Sequence, residues 1–189
     1  MKKLVLISSI LLMLSGCQST KSDSALNPTL SNYHIEKLAV LAVNSPDIED
    51  LVTEELTEQG THATAVRNLL AFSKDENDFF NNIVRQGYSD ILVINYSIGG
   101  RQLTVTAYNT TANTYDTYNG SNTFGTTSAI TASTNNAVAN ATIINTKGVK
   151  VWQSNINLSA GGHLYTDDAS MIEGLGEAVI EELEKSTLL

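Results

Sequence analysis

The chain of 189 residues has a single cysteine, Cys17, so no disulfide can form within it and the fold must stand on a hydrophobic core. Proline occurs only at Pro28 and Pro46. Basic residues are scarce: 11 Lys and Arg stand against 20 Asp and Glu, a net charge of −9. A surface of that sign repels polyanions, which excludes nucleic acid as a partner. The longest apolar run, Leu4 to Leu14, is broken by Ser8 and Ser9 and is about half of what a membrane-spanning helix needs. Catalytic signatures are missing too. There is no Gly-x-Ser-x-Gly, no P-loop, no dinucleotide fingerprint, and no Ser-x-x-Lys in the folded part. We therefore expect no enzyme activity, no catalytic residue and no cofactor.

What is present begins at the amino terminus. Lys2 and Lys3 precede the apolar run, and Leu14-Ser15-Gly16-Cys17 follows it. That layout is a signal peptide, to be left out of fold reasoning. Its last four residues resemble the lipobox of bacterial lipoproteins. The resemblance implies that residues 1–16 are removed and that Cys17 carries the lipid holding the chain on a membrane. Several acyl chains, at about 0.8 kcal/mol per buried methylene, make such attachment stable. Gln18 stands where an aspartate would resemble an inner-membrane retention signal, so the expected address is the outer membrane, facing the periplasm. Residues 17–33 are polar and aperiodic and read as the lipidated cysteine with a flexible tether.

The remainder, residues 34–189, suits one α/β domain. Leu38 to Val43 is a continuous apolar run, the pattern of a strand buried on both faces. Ser45-Pro46 opens a helix, with Ser45 as cap, proline at its first position and Gly60 at its end. A short strand over 62–67, a helix over 75–86 and a strand at Ile91 to Ile94 continue the alternation. Gly99-Gly100 reads as a two-residue hairpin turn. It leads into a strand in which Leu103, Val105 and Ala107 alternate with polar residues. About 110–136 is rich in Thr, Asn, Ser and Gly and reads as a mobile loop. Two strands, 137–145 and 149–158, form a hairpin at Thr146-Lys147-Gly148, with a β-bulge near Val151-Trp152. A helix over 168–185 closes the chain, and Gly174 and Gly176 let it lie close on the sheet. The expected order is β-α-β-α-β-β-β-β-α, a mixed sheet of about six strands with three helices.

Leu38–Val43, the capped helix, Tyr88 to Ile94, a Gly/Thr-rich segment and then Ile143 to Gly148 with Val151-Trp152 form a recognisable series. It resembles the periplasmic α/β domain of the curli-secretion lipoprotein CsgG, the penicillin-binding-protein activator LpoB and the amino-terminal part of TolB. The resemblance spans about residues 36–187 and implies their fold. The curli channel builds its pore from amphipathic hairpins, and residues 109–136 lack the alternating apolar face that lipid-facing strands require. The synthase activator's long tether has no counterpart here.

Candidate side chains are few. His163 with Asp167 and Asp168 could offer a nitrogen and two carboxylates, but those aspartates fit helix capping better; no metal site is expected. His34 and His62 have no visible partner, and Glu54, Glu55 and Glu58 fit an exposed helix face. Tyr115, Tyr118 and Trp152 are the candidate partner-binding residues, since aromatics anchor interfaces, although Trp152 also fits core packing. The expected function is a non-catalytic, membrane-anchored binding or assembly factor for another envelope protein. The alternatives are a periplasmic small-ligand or metal-binding protein, or a hydrolase.

Overall fold

Leu38–Ala42 is buried at every position, and the two faces of this strand see two different clusters. The strand is β2 of a computed structural model that describes residues 17–30, 33–118, 120–162 and 165–189. The expected signal peptide (1–16) and His163 lie outside the described residues. In chain order the elements are β1 (Cys17–Leu26), β2 (Leu38–Ala42), α1 (Pro46–Glu58), β3 (Ala63–Ala65) and α2 (Arg67–Phe72). There follow α3 (Glu76–Arg85), β4 (Asp90–Ile98), β5 (Gln102–Thr117), β6 (Gly120–Asn145), β7 (Lys150–Gly162) and α4 (Asp168–Lys185). The fold is α/β with a mixed sheet in the order β1-β7-β6-β4-β2-β3, and β5 also pairs with β6. Pairs β2–β3 and β2–β4 are parallel and the others antiparallel. Among the described residues there are seven strands and four helices, against about six and three expected.

Helices α1 and α4 pack together and cover one face. Strand alternation supplies that face: Leu92 and Ile94 of β4, Ala137, Ala139, Ala141 and Ile143 of β6, and Trp152, Ile156 and Leu158 of β7 all point into it. Ser45 caps α1, its hydroxyl accepting from Ile48 N at 3.3 Å, with Pro46 first in the helix as expected. Asp167 caps α4 by accepting from Ser170 N at 3.0 Å. A Cβ at Gly174 would come within 2.9 Å of Leu158 Cδ2, so this glycine does permit the close approach to the sheet. Gly176 serves the neighbouring helix instead, with Leu51 Cδ2 at 2.6 Å from the Cβ position.

The second face is covered only in part. Phe79, Ile83 and Val66 pack on Ala39, Leu41 and Ile91, while Asn95, Asn140, Asn155 and Asn157 lie bare further along the same face. Glu49, in the first turn of α1, is fully buried and joins three elements. It accepts from Ala42 N at 3.1 Å and from Arg67 N at 3.0 Å, and Arg67 also pairs with Asp50.

Three expectations are corrected. The tether over 17–33 is, over Cys17–Leu26, an edge strand antiparallel to β7. Its inward positions from Gln18 to Ser24 are polar, which hid it: Gln18 Nε2 donates to Ser170 O at 3.2 Å and Ser22 Oγ to Glu182 at 2.7 Å. Gly99-Gly100 does not reverse the chain. Ile98 pairs with Ala137 and Gln102 with Thr134, so β5 continues β4 along the same edge of β6. Three residues, 99–101, face two, 135–136, and Gly100 at φ +84° absorbs the excess. The third correction is the loop at 110–136, which is paired strand throughout its described length apart from the turn at Tyr118. The short strand expected over 62–67 is confined to Ala63–Ala65, and Arg67–Phe72 is helical. The bulge at Val151-Trp152 is present, since Ile143 faces Trp152 and Ile144 faces Lys150.

Candidate partner-binding ribbon

Strand β6 is 26 residues long, and only its second half lies within the sheet. Among the described residues, 137–145 pair with β4 and 133–144 with β7, whereas 120–132 pair with β5 alone. The result is a two-stranded ribbon running on beyond the sheet. Threonine makes it extended: β-branched side chains favour strands, and their hydroxyls pair across the ribbon. Thr110 and Thr127 meet at 3.1 Å and Thr114 and Thr123 at 2.9 Å. A bulge at Thr106 separates the pairs Val105–Thr131 and Ala107–Ile130, and Thr106 Oγ1 donates to Ile130 O at 3.1 Å.

The root is held rigidly. Ser133, Asn135 and Thr166 are each 1% exposed. Ser133 Oγ lies 2.7 Å from Thr166 Oγ1 and donates to Gly162 O, and Asn135 Nδ2 donates to Thr166 O at 3.0 Å. This buried polar clamp ties the point where β6 leaves the sheet to the chain between β7 and α4.

Beyond the root, Leu103, Val105, Tyr108, Phe124 and Ile130 are exposed. Asp116 is the sole charged residue between Gln102 and Thr146. Of the expected partner-binding residues, Tyr118 is fully exposed in the turn. Tyr115 belongs to β5, paired with Asn122, and its side chain lies outside what is described. Trp152 is 2% exposed and is the largest fully buried side chain, so its ring packs in the core and cannot touch a partner directly. Tyr108 and Phe124 add two more exposed aromatic side chains to the ribbon. The signals for the ribbon were there: dense threonine on both sides of Asn119-Gly120, residue types that favour a turn.

The position expected to be lipidated, Cys17, heads β1 opposite Gly161, and Gly161 pairs with Thr134 at the ribbon root. Elsewhere, His34 and His62 line one small hollow of about 150 Å³ with Glu36 and Leu189. Among the described residues no group of three His, Cys, Asp or Glu side chains could hold a metal. An open, mainly apolar hollow of about 410 Å³ lies between α3 and the sheet, lined by Leu41, Phe79, Phe80, Ile91 and Val93.

Asp90, at the start of β4, accepts from Tyr33 Oη at 2.7 Å, while its Oδ2 is buried without a partner among the described residues. Burial pushes the Asp90 carboxyl above its ordinary range, partly offset by hydrogen bonds from Ser89 and Tyr33. Burial and the bond to Asp90 push Tyr33 up to about 12. Burial acts to raise Glu182, yet bonds from Ser22, Lys185 and Ser24 outweigh it and hold that carboxyl below its ordinary value.

No family model matches the chain, and no curated protein matches it. Among solved structures it is similar to the PelC dodecamer from Paraburkholderia phytofirmans, with 12% identity, TM-score 0.43, and 82% of this chain and 89% of that chain covered. An L103M form of the same dodecamer is matched at 11% identity and TM-score 0.40, over 84% and 89%. A PDZ domain protein from Parabacteroides distasonis is matched at 10% identity and TM-score 0.26, with 82% of this chain covering 34% of that one.

Proposed function

We propose that this chain is a non-catalytic, lipid-anchored envelope protein that acts by binding a protein partner through the β5–β6 ribbon. The observation that carries the reading is the ribbon itself: it leaves the sheet uncharged but for Asp116, with apolar side chains exposed and, among the described residues, paired to no third strand over 120–132. An isolated two-stranded ribbon is marginal in water, and long uncharged edges are templates for another strand. A partner strand would satisfy those backbone groups. The clamp at Ser133, Asn135 and Thr166 holds the ribbon ready, so binding costs little ordering entropy.

Anchoring by a lipid on Cys17, in the outer membrane facing the periplasm, is part of the same reading and is supported by the lipobox pattern. Because β1 starts at Cys17, an anchored domain would sit directly against the membrane and meet partners held there.

The test is in-cell crosslinking followed by capture of the full-length chain. It is compared with a variant in which residues 108–129 are replaced by an Asn-Gly turn joining Ala107 to Ile130, which are paired. A protein captured by the parent and lost from the shortened chain supports the reading; equal capture by both removes it. The open apolar hollow beside Phe79 favours a second reading, binding of a small apolar molecule. Fluorescence of an apolar probe, quenched by Phe79→Asp, would support that alternative.

A further inference from the structure

We propose that β1 is a releasable strap: residues 17–26 leave β7 as one unit and turn a domain held against its membrane into one suspended on a lead. The change of height rests on the lipid anchor at Cys17, whereas the release itself does not.

The strap is held by little besides its backbone. It pairs with β7 from Cys17 opposite Gly161 to Leu26 opposite Trp152. Residues directly opposite share a face, so Gln18, Thr20, Ser22 and Ser24 lie on the side of the buried Ala160, Leu158, Ile156 and Ser154. All four are polar. Among the described residues, none from 18 to 26 belongs to a hydrophobic cluster, and the one large apolar side chain, Leu26, is 39% exposed. The hydrophobic burial that fixes most strands is thus nearly absent here. A backbone hydrogen bond, exchanged against water, gains about as much as ordering one residue costs. The docked and released states are therefore close in free energy.

The fastening to α4 is equally replaceable. Glu182 of α4 is 6% exposed and accepts from Ser22 Oγ at 2.7 Å, with a further bond from Ser24. When β1 leaves, Lys185 Nζ, 2.9 Å from the same carboxylate, remains, and water takes the place of the hydroxyls. No charge is stranded. Nor does the core open: α4 still lies over β7, so close that a Cβ at Gly174 would come within 2.9 Å of Leu158 Cδ2.

The release also has a defined end. Asn27 N donates to Val151 O at 2.8 Å and Asn27 Nδ2 to Lys150 O at 2.8 Å, while Asn27 Oδ1 accepts from Thr29 N at 3.0 Å. Leu30 and Tyr33 then pack on the main core, and Ile35 is buried in it. The chain is therefore free as far as Leu26 and fixed from Asn27 on. Ten released residues span about 33 Å at roughly 3.3 Å each. Lys21 and Asp23 balance, so the lead is neutral, while the acidic body is repelled by anionic headgroups and draws away from them.

Hydrogen exchange on the full lipidated chain in vesicles of neutral and anionic phospholipid tests the strap. The β1 amides bonded to β7 should exchange together, at least tenfold faster than the paired amides of residues 137–145. Asp23→Cys with Asn155→Cys places two thiols on exposed, directly opposite positions. Oxidising that pair should slow the strap at least tenfold, and reduction should restore its rate. Ser22→Ala with Ser24→Ala should speed it several-fold and leave residues 137–145 unchanged. Trp152, the sole tryptophan, reports height by energy transfer to a dansyl-labelled lipid, and transfer should be higher in the oxidised pair than after reduction. Strap amides as slow as those of 137–145, or indifferent to the disulfide, overturn the proposal, and equal transfer in both states overturns the lift. A chain that does not bind vesicles removes the anchor reading, and exchange in solution then decides the strap by itself.

Discussion

Cys17 and Gln102 stand in one row of the sheet, three strands apart: Cys17 faces Gly161, Gly161 faces Thr134, and Thr134 faces Gln102. At about 4.8 Å per strand the backbone of the expected anchor lies roughly 14 Å from the first residue of the ribbon. The anchor and the proposed binding surface therefore share one end of the sheet.

From this follows the first prediction. Cys17→Ser should release the chain from the membrane fraction into the soluble periplasmic fraction, with the fold intact, because the strand pairs through its backbone. Fractionation with circular dichroism checks it, and retention of the variant on membranes would remove the lipid-anchor reading.

The ribbon root supplies the second. Asn135→Ala leaves the Thr166 carbonyl without its donor in a buried site and should lower the unfolding free energy by about 1–3 kcal/mol. Chemical denaturation measures that loss. Hydrogen exchange should show faster opening of residues 102–132 than of β2 or β4.

Two glycines in one helix should behave differently. Alanine gains about 0.8–1 kcal/mol of helix propensity over glycine. At Gly174 the new methyl would press on the buried Leu158, which is held in the core, so Gly174→Ala should be destabilising by about 1–2 kcal/mol net. At Gly176 the obstructing atom is the end of the partly buried Leu51 side chain, which can turn away, and Gly176→Ala should be close to neutral. Thermal unfolding of the pair decides it.

The Tyr33–Asp90 pair predicts two pH windows. Asp90 is raised above 3.8 in the folded chain, so the folded state holds a proton that the unfolded state has released. Stability therefore falls as pH rises from about 3.8 through the raised value and is level above it. Tyr33, at about 12 against 10.0 unfolded, adds stability below pH 10 that is lost as pH climbs toward 12. Asp90→Asn should flatten the acidic window and raise stability at neutral pH by on the order of 1 kcal/mol. Tyr33→Phe should flatten the alkaline one. Unfolding free energy against pH, for parent and both variants, measures each window.

Much of the body was legible because its signals are local. Ser45-Pro46 and Asp167 cap helices through residues three positions away, and the strand β2 announces itself by an unbroken apolar run. The β6–β7 hairpin shows alternation that a bulge interrupts where expected. The ribbon escaped because neither of its faces is buried: with threonine on both, it has no apolar period to read. Trp152 was ambiguous between surface and core until its strand had a direction and a face.

The sequence by itself determined the charge balance, the lone cysteine, the caps and the apolar periods, all of which depend on composition or on neighbours within a few residues. Only the tertiary structure decided that residues 17–26 form a strand, that Gly99-Gly100 lets β5 run on from β4, and that the ribbon stands clear of the sheet. Each depends on partners far along the chain, such as Gln18 with Ser170 and Asn135 with Thr166. A polar side chain looks the same in sequence whether water or a distant backbone carbonyl completes its hydrogen bonds, and only the folded chain makes that choice.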